Sequence, residues 1–511
     1  MTKQTFLKGA IILVTASFYN RLLGFIYKIL VIRLIGTEGI GLYEMVFPFY
    51  ILVLVITTAG VPLAISKLVA EEMAKDNLSG AYRIFRIALS FLTVAGATVT
   101  LILYKTLPFI IDHFYSDPRV YWSFWVMIPA IFIISVCSAF RGFFQGLQQM
   151  TPTAVSQVVE QTIRFFVGLW FANYFLPYGV EFAAMGMAIG MAAGEFIGLL
   201  LMIGIFLFKR PRLQPHERSR TRSLRALSVI KGIFYLAFPI TLTRIVYSTS
   251  MTIQASLVPQ RLQATGLSIR EATEMFGQYS GIAVTLLHLP TMVTVSLAIT
   301  LVPAISEAIT AGNSHQIMQR INQALRITLI LGLPSVVIFL LFPYRLSELL
   351  FATSSAGVPL KVLAWGALFL YLQQTTTGIL QGLGKVGTSL FNAACGAAIT
   401  LTGIYYLTAL PDLGIRGTAI AANMGFFIVA TLNLLTIWQT VGFRINFIKT
   451  FLTPAGAALI MAFTAYYMDN YLQTYNPWLI LPILGFSGGL YLLILVLTKS
   501  ISINQFQRFI K

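Results

Sequence analysis

Charged side chains are scarce in this chain of 511 residues. Only 10% of the residues are Asp, Glu, Lys or Arg, whereas about 25% are charged in an average soluble domain. The chain is 57% hydrophobic. Many of its apolar runs reach about 20 residues, the length that a helix needs to cross a bilayer. This composition excludes a soluble domain and predicts an all-α integral membrane protein.

Cysteine and histidine are also rare. The two cysteines, Cys137 and Cys395, both fall in apolar runs, so the chain has no disulfide framework. The sequence contains four histidines but no HExxH motif, no metal-ligand spacing and no pair of carboxylates within one predicted span. These absences argue against an enzyme, and we expect neither a metal ion nor a cofactor.

Acidic residues are about half as frequent as basic ones, with 17 Asp and Glu against 35 Lys and Arg. The net charge of +18 would suggest nucleic acid as a partner of a soluble protein. Here most basic residues fall in alternate segments between spans, and the positive-inside rule places those segments and both termini in the cytoplasm. We therefore expect a multi-pass protein of the cytoplasmic membrane that does not bind nucleic acid.

The apolar runs number about fourteen, the first two near 6–34 and 45–66. A stretch with eight basic residues, 209–231, separates six spans from eight. The motif GFFQG at 142–146 recurs as GILQG at 378–382, so the first six spans on each side resemble a parallel repeat. The predicted domains are an N-terminal six-helix lobe at 1–208, a basic cytoplasmic linker at 209–231, a C-terminal six-helix lobe at 232–440, and two extra helices with a cytoplasmic tail at 441–511.

A few ionisable residues interrupt the spans, and each costs roughly 2.5 to 3.5 kcal/mol at the bilayer centre. Arg21 and Arg244 occupy equivalent positions in the first helix of each half. We expect them to face each other across a central cavity, with binding to carbonyls at a broken helix as the structural alternative. Lys28 shares the polar face of Arg21 but lies nearer the outer end of the helix, where it can snorkel to the surface.

The fifth and sixth spans add further charge. Glu160 and Arg164 are spaced for an i, i+4 ion pair, and two interpretations stay open: a self-neutralised pair that locks helices together, or a cavity lining. Glu195 is the expected counter-ion in a cavity that is otherwise positive. Guanidinium groups in such a cavity favour phosphate, which they hold with paired hydrogen bonds. The candidate substrate-binding residues are Arg21, Lys28, Gln145, Glu160, Arg164, Glu195, Arg244, Gln254 and Gln381.

Two parallel helical bundles favour a transporter whose halves move about a site at their interface. A positive cavity favours an anionic substrate over a cationic drug. The alternative is an ion-coupled exporter of small amphipathic compounds.

Four stretches carry a family signature. They are KQTFLKGAIILVTASFYNRLLGFIYKILVIRLIGTEGIGLYE, VPLAISKLVAEE, RGFFQGLQQMTPTAVSQVVEQTIR and LVPAISEAI. They resemble the stage V sporulation protein B group of the multidrug/oligosaccharidyl-lipid/polysaccharide (MOP) flippase superfamily, which is similar to lipid II flippases and polysaccharide exporters. The resemblance implies a V-shaped pair of six-helix bundles, two further helices that form a lipid-tail groove, and alternating access.

The same resemblance suggests a substrate and a site residue. NRLLGF at 20–25 resembles a lipid II flippase motif whose arginine lines the central cavity, which gives that role to Arg21. The next cationic position of the family falls at Tyr27, one residue before Lys28, and the basic residue of the second helix has no clear match. The implied substrate is an undecaprenyl-diphosphate-linked peptidoglycan precursor, expected to be that of the spore cortex. Membrane lipids and cell-wall synthesis enzymes are the other candidate partners. A non-transporting membrane partner of those enzymes is the further alternative to a transporter.

Overall fold

The computed structural model describes residues 6–58, 60–209, 226–442, 448–472 and 476–498. Within these ranges the chain is helical and contains no strand, which confirms the predicted all-α class. Ten of the described helices are long and apolar enough to cross a membrane. By their contacts the residues form two units, Met1–Gln260 with Ile269–Gly277, and Arg261–Ser268 with Gln278–Lys511.

The first unit contains most of the residues that the sequence singles out. Its helices are α1 (Phe6–Thr58), α2 (Val61–Ala74), α3 (Leu78–Phe114), α4 (Tyr121–Gly146), α5 (Thr151–Phe175), α6 (Val180–Lys209), α7 (Ala226–Gln263) up to Gln260, and α8 (Ile269–Phe276).

The second unit continues the helical pattern. Its helices are α9 (Val284–Leu287), α10 (Thr291–Thr310), α11 (Ser314–Leu341), α12 (Pro343–Phe351), α13 (Gly357–Gly382), α14 (Val386–Leu407), α15 (Ile415–Val441), α16 (Thr453–Leu472) and α17 (Ile480–Leu497).

The run expected to be one span at 45–66 is interrupted, so these bounds are wrong. α1 bends at Gly36, continues to Thr58, and α2 starts only after Gly60. Gly60 has a φ of 73°, a conformation that a residue with a Cβ adopts at a cost. Pro62 lies in the first turn of α2 and has no backbone N–H, so it cannot form the hydrogen bond that would continue α1 through this point. Hydrophobicity alone did not show this break.

The core of the first unit lies between α2, α3, α4 and α6. The rings of Phe85 and Phe143 lie 4.8 Å apart, and that of Phe206 lies 5.0 Å from Phe85. Val229 and Ile233 of α7 belong to the same buried cluster. This packing explains why α7 groups with the first unit, although the repeat places the start of the second lobe at residue 232. Grouping by contact does not test a repeat, so the predicted lobe boundaries stay a prediction.

Small residues bring α5 and α6 into close contact beside the candidate site. A Cβ on Gly190 of α6 would collide with the backbone of Gly168 and with the Arg164 carbonyl of α5. Close backbone approach of this kind is typical of helix packing in membranes. It sets the short distance across which side chains of α5 and α6 meet.

An ionic cluster fixes α8 on the first unit, and we call its five residues the Glu38 cluster. Glu38 accepts hydrogen bonds from Arg119 at 2.6 Å and from Arg270 of α8 at 2.9 Å. Asp117, which is fully buried, accepts from Arg119 at 2.8 Å and from the Thr273 hydroxyl of α8 at 2.7 Å. The cluster accounts for the grouping of α8 with the first unit.

Within this cluster the buried carboxylate should matter more than the exposed guanidinium. We expect Asp117→Asn to lower the free energy of unfolding by about 1.5 to 3 kcal/mol, the range for hydrogen bonds to charged groups. Arg270, whose side chain is 73% exposed, is the matched control, and Arg270→Gln should cost at most about 1 kcal/mol. Thermal unfolding of the purified variants in detergent measures both. Equal midpoints for Asp117→Asn and the wild type would contradict the assignment.

Candidate functional site

A polar cavity of about 320 Å³ lies between α1 and α5 in the first unit. It brings together three of the predicted site residues, Arg21, Glu160 and Arg164. The remaining lining residues are Ser17, Asn20, Gln157 and Gln161. We call this the Arg21 cavity.

Helical spacing explains why these residues meet. Ser17 and Arg21 are one turn apart on α1, and the four α5 residues, spaced i, i+3, i+4 and i+7, share one face. Neither polar face is suited to lipid, so the two faces pack against each other. The Tyr19 and Thr162 hydroxyls form a hydrogen bond of 3.1 Å between the same helices.

Of the two interpretations of Glu160 and Arg164, the pair within α5 is wrong, because it is not formed, and both residues line the Arg21 cavity. Glu160 binds Arg141 of α4, and Arg164 binds Glu195 of α6 at 2.9 Å. Both carboxylates belong to residues that are only 7% exposed. Pairing between helices gives a counter-ion to each of the four charges, whereas a pair within α5 contributes only a few tenths of a kcal/mol. The cross-helix pairs tie α4, α5 and α6 together.

Sequence reasoning missed Arg141 as a site residue. It ends an apolar run on the predicted cytoplasmic side, where the positive-inside rule already accounts for a basic residue. A signal was present: Ser138, Arg141 and Gln145 fall on one face of α4, as a polar stripe with helical spacing. Its side chain is 16% exposed and bonded to Glu160. The Nε atoms of Arg141 and Arg164 are buried without a hydrogen-bond partner among the described residues. Each guanidinium thus keeps donor capacity beyond its carboxylate.

Arg21 differs from the other cations of the cavity. It is exposed, and within the described part of the chain its guanidinium has no carboxylate partner. The paired charges around it cancel, so Arg21 leaves this cavity with one unbalanced positive charge. Such a guanidinium can donate two parallel hydrogen bonds to a phosphate or a carboxylate.

The structure places Lys28 apart from this group. Its Nζ lies 2.7 Å from a carboxylate oxygen of Glu44, and the pair bridges the bend of α1 at Gly36. Lys28 does not line the Arg21 cavity. The pair stabilises the bend, which is a structural role. The charge of Lys28 is therefore neutralised by Glu44.

The remaining predicted residues also lie outside the Arg21 cavity. Arg244 is an exposed residue of α7, and Gln254, three turns further on, donates to the Ser250 hydroxyl at 3.1 Å.

Gln145 and Gln381 lie in the last turns of α4 and α13. Their carbonyls accept from Gln148 and Gly384 just past each helix end. The two Gly-x-x-Gln-Gly motifs thus form equivalent helix ends.

Metal ligands are not gathered in this region. Among the residues that the structure describes, no group of three or more His, Cys, Asp or Glu side chains could hold a metal ion. The site chemistry consists of hydrogen bonding and charge neutralisation by the side chains already named.

Comparison with known proteins gives the chain its family. A polysaccharide biosynthesis protein family matches residues 6–309, and the MatE family matches residues 280–406. Stage V sporulation protein B of Bacillus subtilis (strain 168) is 32% identical over 512 residues, which cover 99% of this chain and 98% of that protein. The lipid II flippase MurJ of the same organism is 25% identical, over 77% of this chain and 76% of its own length.

The fold also has a solved relative. A structure of a lipid II flippase MurJ in an inward closed conformation superposes with a TM-score of 0.73 at 16% identity, covering 95% of this chain and 98% of that chain. At this identity the likeness concerns the fold alone. The relatives whose names state an activity are transporters and not enzymes, as the sequence predicts. The chain is a multi-pass membrane protein that belongs to the polysaccharide biosynthesis protein family of the MOP flippase superfamily.

Proposed function

We propose that this protein is a flippase that moves a lipid-linked, diphosphate-containing cell-wall precursor across the cytoplasmic membrane by alternating access. The observation that carries the proposal is the Arg21 guanidinium, exposed in a polar cavity whose other charges are paired. A diphosphate supplies the anionic oxygens that this donor lacks. Family membership supports transport as the activity.

The relatives support a narrower substrate. MurJ is by name a lipid II flippase, and stage V sporulation protein B is by name a sporulation protein. We therefore propose an undecaprenyl-diphosphate-linked peptidoglycan precursor, and the spore cortex as the wall that it builds. In this scheme Arg21 and Arg244 contact the diphosphate. Glu160 and Arg164 line the Arg21 cavity, and Glu195 holds Arg164 in place.

The MatE match at residues 280–406 keeps one second candidate, an ion-coupled exporter of small amphipathic compounds. The two functions differ in what the charges do. A flippase uses the free guanidinium to bind its substrate, whereas an ion-coupled exporter uses Glu160 or Glu195 to bind a cation. In the structure both carboxylates are occupied by arginines, which favours the flippase.

Removal of either arginine that we propose to bind the diphosphate should slow transport without unfolding the protein. We expect Arg21→Ala and Arg244→Ala each to slow transbilayer movement of lipid II in proteoliposomes by at least about tenfold, since each removes charge-assisted hydrogen bonds. Arg320→Ala is the control, because Arg320 is an exposed arginine of α11 outside the Arg21 cavity. Full activity of both variants at matched incorporation would contradict diphosphate capture. Wild-type protein no faster than empty liposomes would refute lipid II as the substrate.

A double-mutant cycle separates locking from transport at the pair between Arg164 and Glu195. Glu195→Gln should destabilise the fold because it leaves Arg164 buried without its counter-ion. Arg164→Gln with Glu195→Gln should recover part of that loss, with a coupling of about 0.5 to 3 kcal/mol in thermal unfolding. If the pair is a structural lock, the double variant flips lipid at the wild-type rate. A stable double variant without transport would instead show that the pair acts in the transport cycle.

The proposed topology places both termini and residues 209–231 in the cytoplasm. Green fluorescent protein fused after residue 511 should therefore fluoresce, and alkaline phosphatase fused there should be inactive. A fusion in the loop between α5 and α6, which this topology places outside, is the matched control and should show the reverse. Active phosphatase after residue 511 would overturn the assigned orientation.

A further inference from the structure

A second cavity, of about 670 Å³, lies where α3 and α7 begin. Two arginines, Arg83 and Arg86, line it together with Ser90 and an apolar wall. The wall consists of Ile87, Phe91, Val94, Ala226 and Ile230. None of these residues lines the Arg21 cavity, so the two cavities are separate. The volume is within the range of about 300 to 1,000 Å³ that is usual for ligand sites.

The charged and apolar parts of this cavity follow one another along α3. The arginines lie in its first turns, and Ile87, Phe91 and Val94 continue along the same face at i, i+4 and i+7. At 1.5 Å per residue, the stretch of α3 from Arg83 to Val94, which includes the two arginines and the apolar residues after them, is about 16 Å long. That is roughly half the thickness of a hydrocarbon core. Cationic groups near a helix end and apolar surface beyond them match the order of a phospholipid, headgroup first and acyl chain below.

The two guanidinium groups have no acidic partner in the described part of the chain. Neither forms an ion pair there, and no acidic residue is among those that line the cavity. Arg86 is exposed and Arg83 half-buried. The site thus presents two positive charges at one end, which an anionic headgroup would neutralise.

The apolar wall is held in place on the side of α7 by contacts between α3 and α7. The rings of Phe91 and Phe234 meet edge to face at 5.7 Å, and Val229 and Ile233 are buried in the core beside α3. On the open side Val94 is 66% exposed. An acyl chain can therefore lie along α3 without displacing a side chain of the core.

We propose that this cavity binds an anionic phospholipid of the adjacent leaflet, predicted to be the cytoplasmic one, at a site apart from the transport cavity. Arg83 and Arg86 hold the phosphate, and the face from Ile87 to Val94 carries an acyl chain. Basic pockets between membrane helices bind acidic headgroups in this way. A lipid bound here would bridge α3 and the first turns of α7.

Native mass spectrometry of the purified full-length protein can test the site. The protein is mixed with equal amounts of dioleoyl phosphatidylglycerol and dioleoyl phosphatidylcholine, and the bound lipids are counted. The variants are Arg83→Gln, Arg86→Gln and Val94→Trp, the last of which fills the acyl groove and keeps both charges. Arg320→Gln is the matched control, because it removes an exposed arginine near the start of α11, outside the cavity.

We expect the wild type to retain phosphatidylglycerol in preference to phosphatidylcholine. Each of the two arginine variants should lower that preference about fivefold, the value for one basic residue at an anionic surface. Val94→Trp should lower phosphatidylglycerol binding, and Arg320→Gln should change nothing.

Three results would overturn the proposal. Unchanged preference in both Arg83→Gln and Arg86→Gln would show that the cavity does not hold the headgroup. Unchanged binding by Val94→Trp would show surface attraction without a seated chain. Displacement of phosphatidylglycerol from the wild type by equimolar undecaprenyl diphosphate would assign the cavity to the transported class of lipid. The assay needs no transport, so its result is independent of the proposed flippase activity.

Discussion

The structure of the first unit depends on the need to pair the charges that α4, α5 and α6 bury against one another. Two ion pairs meet this need, Arg141 with Glu160 and Arg164 with Glu195, and each pair joins two different helices. A buried pair adds little net stability over an apolar core, yet a buried charge without its partner is strongly destabilising. The pairs therefore restrict how α4, α5 and α6 can be arranged. With those three helices held, the polar face of α5 faces α1, and the two helices line the Arg21 cavity.

Much of the fold was accessible from the sequence, because runs of apolar residues and helical spacing are local properties. They predicted an all-helical membrane protein and the polar faces of α1 and α5 that meet in the structure. What they did not reveal is which charges pair. Spacing along one helix shows that Glu160 can reach Arg164, but the competing partners, Arg141 and Glu195, lie on the neighbouring helices α4 and α6. Which residues of two neighbouring helices meet depends on how the helices pack, and spacing along one helix does not report that. The break at Gly60 was missed for a related reason: it depends on a backbone conformation, and hydrophobicity does not report φ.

Four helices of the second unit, α11, α13, α14 and α15, pack with neutral polar groups where α4, α5 and α6 use ion pairs. These polar groups satisfy one another: Asn392 donates to Asn433 at 2.9 Å, and the Thr328 and Thr375 hydroxyls lie 2.6 Å apart. At the positions that the predicted repeat pairs with Glu160 and Arg164, the second half has Gly396 and Thr400. Neutral hydrogen bonds thus join α11 to α13 and α14 to α15. The charges of the first unit cost more to bury than these groups, and that cost is consistent with a role beyond packing.

The charge balance of the Arg21 cavity also limits how a diphosphate can bind. Since the two ion pairs cancel, Arg21 supplies one net positive charge, and a diphosphate with two or more negative charges is not neutralised by it alone. Recruiting Arg164 or Arg141 would leave Glu195 or Glu160 buried without a counter-ion, which is costly. A second cation that forms no such pair avoids this cost. In the proposed scheme Arg244 is this second cation, since it is exposed and forms no ion pair within the described residues. Under this proposal, one arginine from α1 and one from α7 bind and release the anion while the ion pairs between α4, α5 and α6 stay intact.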